Sequence, residues 1–440
     1  MSGSSLRELG LDLVADSQWE KALGVFAEAV RRQPGDHRSR MLAARCYQKL
    51  SEPERAVTVL HACAEGLLRR DYLLSGMASC KLALLLSPHE KRLKETLHRI
   101  HSRAARAAAG RAAGPPPLPP ETLYDGKVET DLMALHGSDL SDKAIEVLGA
   151  PDISGPAADP DARPPLPLFA ELTREAFADL VELMVYREVP PGTVVSEEGR
   201  SGESICVIVA GKAEVTRTVE KEAKTLAFLS GGSIFGELSV LTGASPTATV
   251  TAVSDVDLFE IKRDHLNQLA REHPTVPQVL ATFAQARMAK NLVATSPLFQ
   301  SIPEAERGAL LSRFLFKGLQ TNENAIVEGE YSPGMYMVLA GELVVQKSDP
   351  AGGMVSLGIL REGDIAGEMS LLTGLRASAT VQATRKTATA FLERNTFDEL
   401  LKSFPTVRQY LEGLSVKRMK LIGEALRPAE ILDADELVVE

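Results

Sequence analysis

Two short motifs in this sequence have the residue types needed to hold a small polar ligand. Each places a glycine before a glutamate and an aliphatic residue: Gly236-Glu237-Leu238 and Gly367-Glu368-Met369. The glycine permits a sharp turn, and backbone N–H groups that begin a short helix after the turn can bind an anion such as phosphate. The glutamate would accept a hydrogen bond from a hydroxyl, for example that of a ribose. Local N–H groups can also satisfy a carboxylate at a helix start, so a purely structural role stays open.

The two motifs lie in an internal repeat. Val207–Gly211 matches Met337–Gly341 at an offset of 130 residues, and Gly232–Gly243 matches Gly363–Gly374 at an offset of 131. Because the offset changes by only one residue, the sequence indicates a tandem duplication of one domain of about 130 residues.

Each repeat has the pattern of an α+β domain. It is predicted to open with an amphipathic helix, at Glu171–Met184 in the first repeat and Glu304–Phe314 in the second. Short alternating strands separated by turn residues follow, which is typical of an antiparallel roll. In the first repeat we predict these strands at Ser204–Val209, Lys212–Val219, Thr225–Leu229, Ala248–Ala252 and Asp257–Ile261. Each repeat is predicted to close with helical sequence, at His265–Asn291 and Thr396–Ala425. A roll flanked by helices gives the α+β class.

The residues around the motif resemble a known family. Phe235–Gly243 followed by Thr247–Val250 is similar to the phosphate-binding cassette of cyclic nucleotide-binding domains, and the second repeat has a matching cassette. The strand ends at Gly211 and Gly341 also fit. The resemblance covers about residues 166–425. Two such β-roll (jelly-roll) domains in tandem are similar to the regulatory subunit of the cyclic-AMP-dependent protein kinase, and bacterial catabolite-activator-type regulators share the domain.

The resemblance implies a mechanism. In the family, cassette N–H groups and an arginine hold the cyclic phosphate, the glutamate holds the ribose hydroxyl, and the closing helices swing to cap the base. The implied ligand is cAMP or cGMP, with no metal and no other cofactor. The implied ligand-binding residues are Phe235, Gly236, Glu237, Leu238, Thr247 and Ala248 in the first repeat and Gly367, Glu368, Met369, Arg376, Ser378 and Ala379 in the second.

The sequence departs from the family at the phosphate arginine. Its position holds Pro246 in the first repeat and Ala377 in the second, where Arg376 is displaced by one residue. A charge-assisted hydrogen bond is worth roughly 1.5–3 kcal/mol, so its loss costs roughly ten- to a hundredfold or more in affinity. We therefore expect the first repeat not to bind a cyclic nucleotide tightly. The second is expected to bind one if its loop lets Arg376 reach the phosphate; otherwise Arg376 is a surface residue. Ala366 in place of Phe235 also makes the second cassette looser.

The chain before the linker is predicted to be all-helical, since its apolar residues recur at helical spacing. One unit with tetratricopeptide spacing is formed by Leu9, Gly10, Ala22, Phe26, Ala29 and Pro34. A weaker unit spans roughly 37–70, and 71–88 resembles the second helix of another. We predict two or three such repeats, capped by a basic helix at about 89–112, with a plain helical bundle as the alternative.

Composition sets the predicted domain boundaries. Residues 114–165 hold 10 of the 25 prolines and many acidic residues, which favours an extended linker over a packed core. Ser141–Leu148 within it is a candidate helical turn or docking peptide. The predicted organisation is a helical repeat domain at 1–113, a linker at 114–165, two cyclic nucleotide-binding-like domains at 166–295 and 296–426, and an acidic tail at 427–440. The tail is either a frayed end or a partner peptide.

Composition also excludes several classes of protein. Of the 440 residues, 44% are hydrophobic, yet no apolar run approaches the ~18 residues of a membrane span. The N-terminus has no signal pattern, and the four cysteines form no CxxC pair, so we expect a reduced, cytoplasmic protein. The net charge of −10 argues against a nucleic-acid coat. It divides into +7 for residues 1–113 and −17 for the rest, which indicates mutual attraction, separate partners for the two parts, or ordinary solvated faces.

The sequence predicts no enzyme. It contains no HExxH, P-loop lysine, GxSxG or kinase catalytic-loop motif, and its eight histidines lack metal-ligand spacing. We also expect no DNA-binding domain, and the linker has no clear Arg-Arg-x-Ala/Ser pseudosubstrate. The leading hypothesis is a signalling adaptor that senses a cyclic nucleotide or related ligand and docks a protein partner through its helical repeats. The alternatives are a scaffold with degenerate cassettes and a regulator of a kinase.

Overall fold

The computed structural model describes residues 5–108, 131–150, 167–219, 222–300, 302–348 and 353–425. The chain divides into two compact units. The first comprises residues 1–195, 204–235 and 250–283, and the second comprises 196–203, 236–249 and 284–440. The predicted acidic tail and most of the predicted linker lie outside the described residues.

The N-terminal region is helical, as predicted. Its six helices are α1 (Leu6–Ala15), α2 (Trp19–Arg32), α3 (His37–Lys49), α4 (Pro53–Arg69), α5 (Leu73–Leu86) and α6 (Lys91–Ala108). Helix α1 begins with a capping box, in which the Glu8 amide donates to Ser5 Oγ at 3.1 Å and the Ser5 amide donates to Glu8 Oε2 at 2.9 Å. The predicted basic cap at 89–112 corresponds to α6.

Helices α1 and α2 pack closely because a glycine faces an aromatic ring. A Cβ on Gly10 would lie 2.3 Å from Cε1 of Phe26, and Phe26 is fully buried. The small residue and the aromatic residue therefore have the roles that the repeat pattern assigns to them. The tetratricopeptide assignment itself stays a prediction.

Helix α7 (Gly137–Leu148) packs on this helical region within the first unit. Its buried residues Leu140, Ala144 and Leu148 recur every four residues and form one apolar stripe. Tyr47 donates from its hydroxyl to the carbonyl of Ser141 at 2.9 Å. The candidate docking peptide inside 114–165 is thus a helix seated on its own chain, and this part of the predicted linker belongs to a compact unit.

The first roll follows α8 (Pro167–Ala170) and α9 (Arg174–Leu183). Its strands are β1 (Val185–Val189), β2 (Val194–Ser196), β3 (Ser204–Ala210), β4 (Lys212–Val219), β5 (Glu222–Ser230), β6 (Ile234–Phe235), β7 (Thr249–Ala252) and β8 (Val256–Lys262). They form two four-stranded sheets with the orders β1-β8-β3-β6 and β2-β7-β4-β5. The other helices are α10 (Glu237–Thr242), α11 (Arg263–Glu272) and α12 (Val276–Thr295).

The second roll repeats this topology. After α13 (Pro297–Gln300) and α14 (Glu304–Leu311), its strands are β9 (Leu315–Leu319), β10 (Asn324–Ile326), β11 (Gly334–Ala340), β12 (Leu343–Ser348), β13 (Met354–Leu360), β14 (Ile365–Ala366), β15 (Thr380–Ala383) and β16 (Thr387–Glu393). Their sheet orders, β14-β11-β16-β9 and β10-β15-β12-β13, match those of the first roll. The other helices are α15 (Glu368–Thr373), α16 (Arg394–Ser403) and α17 (Pro405–Ala425). Two α+β rolls in tandem are therefore confirmed.

The predicted closing helices are each interrupted near a proline. The stretch predicted as helix at 265–291 forms α11 and α12, which are separated around Pro274. The stretch predicted at 396–425 forms α16 and α17, with Phe404 between them and Pro405 opening α17. Proline disfavours helical backbone in the residue before it and cannot donate within a helix, so each stretch breaks there.

Charged side chains join the helical region to the first roll inside the first unit. Arg38 pairs with Asp257, and Arg45 Nη1 donates to Glu188 Oε2 at 3.0 Å. Lys81 Nζ donates to the carbonyl of Glu182 at 2.6 Å. Two of these contacts, Arg38–Asp257 and Arg45–Glu188, pair a basic side chain of the helical region with an acidic side chain of the first roll. None of the described helices combines the length and apolar character needed to cross a membrane.

Candidate ligand-binding site in the second roll

The second cassette turns sharply at a glycine. Strand β14 ends at Ala366, and Gly367 has a φ of +91° before α15 begins at Glu368. A Cβ on Gly367 would lie only 2.5 Å from the carbonyl oxygen of Gly334. Only glycine suits this position, because both the left-handed backbone and the close approach exclude a side chain. The turn directs Glu368 into the protein, where its side chain is 2% exposed.

The buried carboxylate of Glu368 has a cationic partner on the last helix. Arg418, on α17, donates from Nη1 to Glu368 Oε1 at 2.6 Å. The Arg418 side chain is 22% exposed, so this ion pair is largely shielded from water. A charge-assisted hydrogen bond of this length is among the stronger polar contacts in proteins. The pair therefore ties the closing helix to the cassette.

A cavity of about 270 Å³ lies against this pair. Its walls are mostly apolar and come from β10, β12, β13, the cassette and α17. The lining residues are Ile326, Val345, Leu357, Gly358, Ile359, Leu360, Ala366, Gly367, Glu368, Met369, Ser370, Ala377, Ser378, Ala379, Val381, Arg418 and Ile422. Five residues implied by the family resemblance are among them: Gly367, Glu368, Met369, Ser378 and Ala379.

Arg376, the sixth residue that the resemblance implies for this cassette, is not part of this lining. It is exposed, and its Nη1 donates to the carbonyl of Gly329 at 2.8 Å. Its guanidinium lies 5.3 Å from the ring centroid of Tyr331, a cation–π distance. Arg376 faces outward because it stands one residue before the family's arginine position, and Ala377 occupies that inward position.

Hydrogen bonds to backbone groups hold the loop in this arrangement. The Ala377 amide donates to the carbonyl of Glu330 at 2.7 Å, and the Gly329 amide donates to the carbonyl of Ala377 at 2.9 Å. Lys347 Nζ donates to Glu328 Oε1 at 2.8 Å and to the carbonyl of Ser378 at 2.7 Å. Burial opposes ionisation of Glu328, but hydrogen bonds from Lys347 and the Ser348 amide outweigh it and lower the pKa of that carboxyl.

The first cassette has the same local frame. Gly236 has a φ of +80°, and Glu237, which opens α10, is 4% exposed. The Gly199 amide donates to the carbonyl of Pro246 at 2.9 Å, just as Gly329 does to Ala377. Pro246 and Ala377 therefore occupy equivalent positions, and neither carries a charge.

The other implied residues of the first cassette are divided between the two units: Phe235 lies in the first, and Leu238, Thr247 and Ala248 lie in the second. Phe235 is 8% exposed and belongs to the core of the first roll. Leu238 packs against the large apolar core of the second unit, to which Ala244 also belongs. Thr247 and Ala248 are half-buried.

Reasoning from the sequence missed two groups of polar residues. Arg418 lies 50 positions after Glu368, and only the expectation that a closing helix reaches the cassette could have pointed to it. Asp179, Glu272 and His273 also come together, with ligand atoms within 4.8 Å of one another. A hydrogen bond of 2.7 Å between His273 Nε2 and Asp179 Oδ2 holds two of these residues together and joins the end of α11 to α9.

Comparison with known proteins supports the assignment of both rolls. The family model described as "cyclic nucleotide-binding domain" matches residues 186–273 and 317–404. A cAMP-dependent protein kinase regulatory subunit of Blastocladiella emersonii is 27% identical over 244 residues, which cover 55% of this chain and 58% of that protein. A cAMP-dependent protein kinase type II regulatory subunit of Drosophila melanogaster is 26% identical over 258 residues, which cover 58% of this chain and 65% of that protein. The match thus spans less than two thirds of the length of these relatives.

The solved structures that this chain matches include the regulatory domain of Toxoplasma gondii PKA with cAMP. It is 24% identical, covers 57% of this chain and 92% of that chain, and has a TM-score of 0.29. The duplicated cassettes, the two rolls of equal topology and the matched residues agree. This chain contains two cyclic nucleotide-binding domains in tandem, similar to those of the regulatory subunits of cAMP-dependent protein kinase, after an N-terminal helical region.

Proposed function

We propose that this chain is a non-enzymatic regulatory protein whose second cyclic nucleotide-binding domain binds a nucleotide or a related small ligand and relays that event to a protein partner. The observation that carries the proposal is the ion pair between Glu368 and Arg418. Glu368 is the residue that the family resemblance assigns to a ribose hydroxyl. Its partner belongs to the closing helix, so one carboxylate serves both the ligand site and the helix.

The cavity walls support a relay of this kind. Helix α17 contributes Arg418 and Ile422 to the lining, so a ligand in the cavity contacts the cassette and α17 together. A ligand hydroxyl on Glu368 changes the pairing of Arg418 and thereby shifts the balance between positions of α17. A ligand can move such an equilibrium only by binding its two states with different affinity, and this shared carboxylate supplies the difference.

A surface on the same helix suits partner contact. Val416 and Met419, three residues apart on α17, are 63% and 50% exposed. Residues at that spacing lie on one side of a helix. We propose that this side of α17 and the helical repeats contact a protein partner. The relatives are kinase regulatory subunits by name, so a protein kinase is one class of partner to test.

The test is calorimetric titration of the full chain with cAMP, cGMP and the corresponding nucleosides. Glu368→Ala should abolish the heat of binding, whereas Glu412→Ala, at an exposed position on α17, should leave it unchanged. Ligand should also change hydrogen exchange in α17. If no ligand bound, or if Glu368→Ala bound as well as the wild type, this function would be wrong for the second domain.

A second candidate is a scaffold protein whose cassettes bind no nucleotide. The uncharged residues Pro246 and Ala377 at the phosphate-arginine position favour it. Under this function, the helical region would bind its partner equally well with and without any nucleoside or nucleotide. Partner capture that depended on ligand would exclude it.

A further inference from the structure

The charges that line the cavity of the second domain cancel one another. Among the described lining residues, only Glu368 and Arg418 are ionisable, and they are hydrogen-bonded to each other. The nearby cations Arg376, Lys347 and Arg394 lie outside the lining and are engaged elsewhere. Arg394 donates from Nη2 to the carbonyl of Ser332 at 3.0 Å and lies 3.5 Å from Ser370 Oγ. Arg376 donates to the carbonyl of Gly329, and Lys347 is bound to Glu328 and to the carbonyl of Ser378.

An anionic group would gain little in this cavity. A cyclic phosphate would leave water for walls that are mostly apolar, and an unpaired charge is expensive to bury. The cation that could compensate it, Arg418, already neutralises Glu368. Ala377, at the inward position of the cassette loop, offers only a methyl group. The missing charge-assisted bond corresponds to a loss of roughly ten- to a hundredfold in affinity.

A neutral ligand with hydroxyl groups fits the same walls. A carboxylate has two oxygens and accepts several hydrogen bonds, so Glu368 can accept one from a sugar hydroxyl as its pairing with Arg418 changes, and the two charges still cancel. Ile326, Leu357 and Ile422 supply apolar surface for a flat ring. The volume of about 270 Å³ is close to the lower end of small-molecule sites, which begin near 300 Å³.

We propose that the second domain binds an uncharged purine nucleoside in preference to its 3′,5′-cyclic phosphate. This inference rests on the proposed function, because it names the ligand class of the same cavity. Two structural features define the preference: the inward Ala377, which removes the phosphate partner, and the Glu368–Arg418 pair, which accepts a hydroxyl without adding net charge to the cavity.

The experiment compares adenosine, guanosine, cAMP and cGMP by calorimetry on the full-length wild-type chain. We expect one nucleoside to bind at least about tenfold more tightly than its cyclic phosphate. The 2′-deoxynucleoside should bind roughly ten- to a hundredfold more weakly than the nucleoside, because it lacks the hydroxyl that Glu368 accepts. Neither comparison needs a variant.

Two variants then test whether the cassette loop that contains Ala377 causes the preference for nucleoside over cyclic nucleotide. Ala377→Arg restores the inward cation and should raise cyclic nucleotide affinity about tenfold or more while leaving nucleoside affinity within a few-fold. Arg376→Ala is the matched control at the neighbouring position and should change neither affinity. Thermal unfolding of each variant establishes that it is folded.

The outcomes separate this inference from the proposed function. Tighter binding of cyclic nucleotide than of nucleoside by the wild type would overturn the inference and leave the ligand-sensing function standing. Cyclic nucleotide binding by Ala377→Arg alone would overturn the inference and support the scaffold alternative. No binding by the wild type or by folded Ala377→Arg would overturn both.

Discussion

Arg418 of the last helix donates a hydrogen bond of 2.6 Å to Glu368, the residue that opens the short helix of the second cassette. The acceptor is almost completely buried, and the donor lies 50 positions later in the chain. This contact ties α17 to one carboxylate of the second cassette. Substitutions at Arg418 and Glu368 therefore test how much this ion pair stabilises the second unit.

Arg418→Leu should destabilise the second unit by about 3 kcal/mol, because it leaves the carboxylate of Glu368 buried and unpaired. The double variant Arg418→Leu, Glu368→Gln should recover a large part of that loss, since it removes the orphaned charge. Urea unfolding of the wild type, Arg418→Leu, Glu368→Gln and the double variant gives the coupling energy between the two side chains. Arg408→Leu on the same helix breaks only an exposed pair with Glu412 and should cost less than about 1 kcal/mol. Equal losses in Arg408→Leu and Arg418→Leu would contradict the interpretation.

Glu28 should make the first unit sensitive to acid. It is fully buried on α2, and burial opposes its ionisation, but hydrogen bonds from Arg31 and Arg32 outweigh that effect and lower its pKa. The stability that this pairing contributes is therefore present above the ordinary carboxyl pKa of about 4.5 and is lost as the pH falls through the lowered value.

The measurement for Glu28 is the free energy of unfolding against pH. We expect Glu28→Gln to be less stable than the wild type by about 1–2 kcal/mol at pH 7, with a difference that shrinks below pH 4.5. Glu20→Gln, at an exposed position of the same helix, should show little difference at any pH. A Glu28→Gln difference that stayed constant from pH 7 to pH 3 would show that the carboxylate does not titrate in this way.

Asp257 should have the opposite pH dependence. Burial raises the pKa of this carboxyl, and pairing with Arg38 opposes the rise only in part. A raised pKa in the folded state means that the protonated form is favoured by folding. The stability that protonated Asp257 contributes is therefore fully present below the ordinary pKa of about 3.8. It is lost as the pH rises through the raised pKa of the folded state.

Asp257→Asn removes the titrating carboxyl and so tests whether Asp257 lowers the stability of the fold as the pH rises. Relative to the wild type, the variant should gain stability as the pH is raised from 4 towards 7, in the range above the ordinary pKa of 3.8. Asp255→Asn, two residues earlier and exposed, should run parallel to the wild type. A wild type that gained stability over Asp257→Asn across this range would mean that the Arg38 pairing outweighs burial.

Gly10→Ala should destabilise the helical region, because the added methyl group would overlap the ring of Phe26. Overpacking a filled core costs about 1–3 kcal/mol, which exceeds the gain of about 1 kcal/mol from replacing glycine in a helix. Gly413→Ala, at an exposed position of α17, is the control, since nothing lies within 4 Å of its added Cβ. That variant should gain up to about 1 kcal/mol. The two melting temperatures should therefore move in opposite directions.

Much of this molecule could be predicted from the sequence because the relevant signals are local or repeated. The offsets of 130 and 131 residues mark two copies of one domain, and both copies fold with the same sheet order. The glycine before each cassette glutamate predicts a turn, and Gly236 and Gly367 both have positive φ. Alternation of side chains predicts β4 at Lys212–Val219 with both of its ends correct.

The remaining features depend on contacts between segments that are distant in the chain. The sequence places Arg376 beside the expected phosphate position, but hydrogen bonding to Gly329 and stacking near Tyr331 turn it outward. Helix α7 lies in a proline-rich stretch. Its packing on α2 could not be predicted from the sequence, because the apolar stripe of α7 does not specify which surface it covers.

The sequence by itself therefore determined the two tandem rolls, the helical front and the identity of the cassettes, because periodicity, glycine turns and duplication are properties of the chain alone. Only the tertiary structure decided which charges line the cavity. Whether Arg376, Lys347 or Arg418 faces Glu368 is set by which hydrogen bonds the folded backbone offers each cation. That choice depends on positions in space, which residue spacing does not specify.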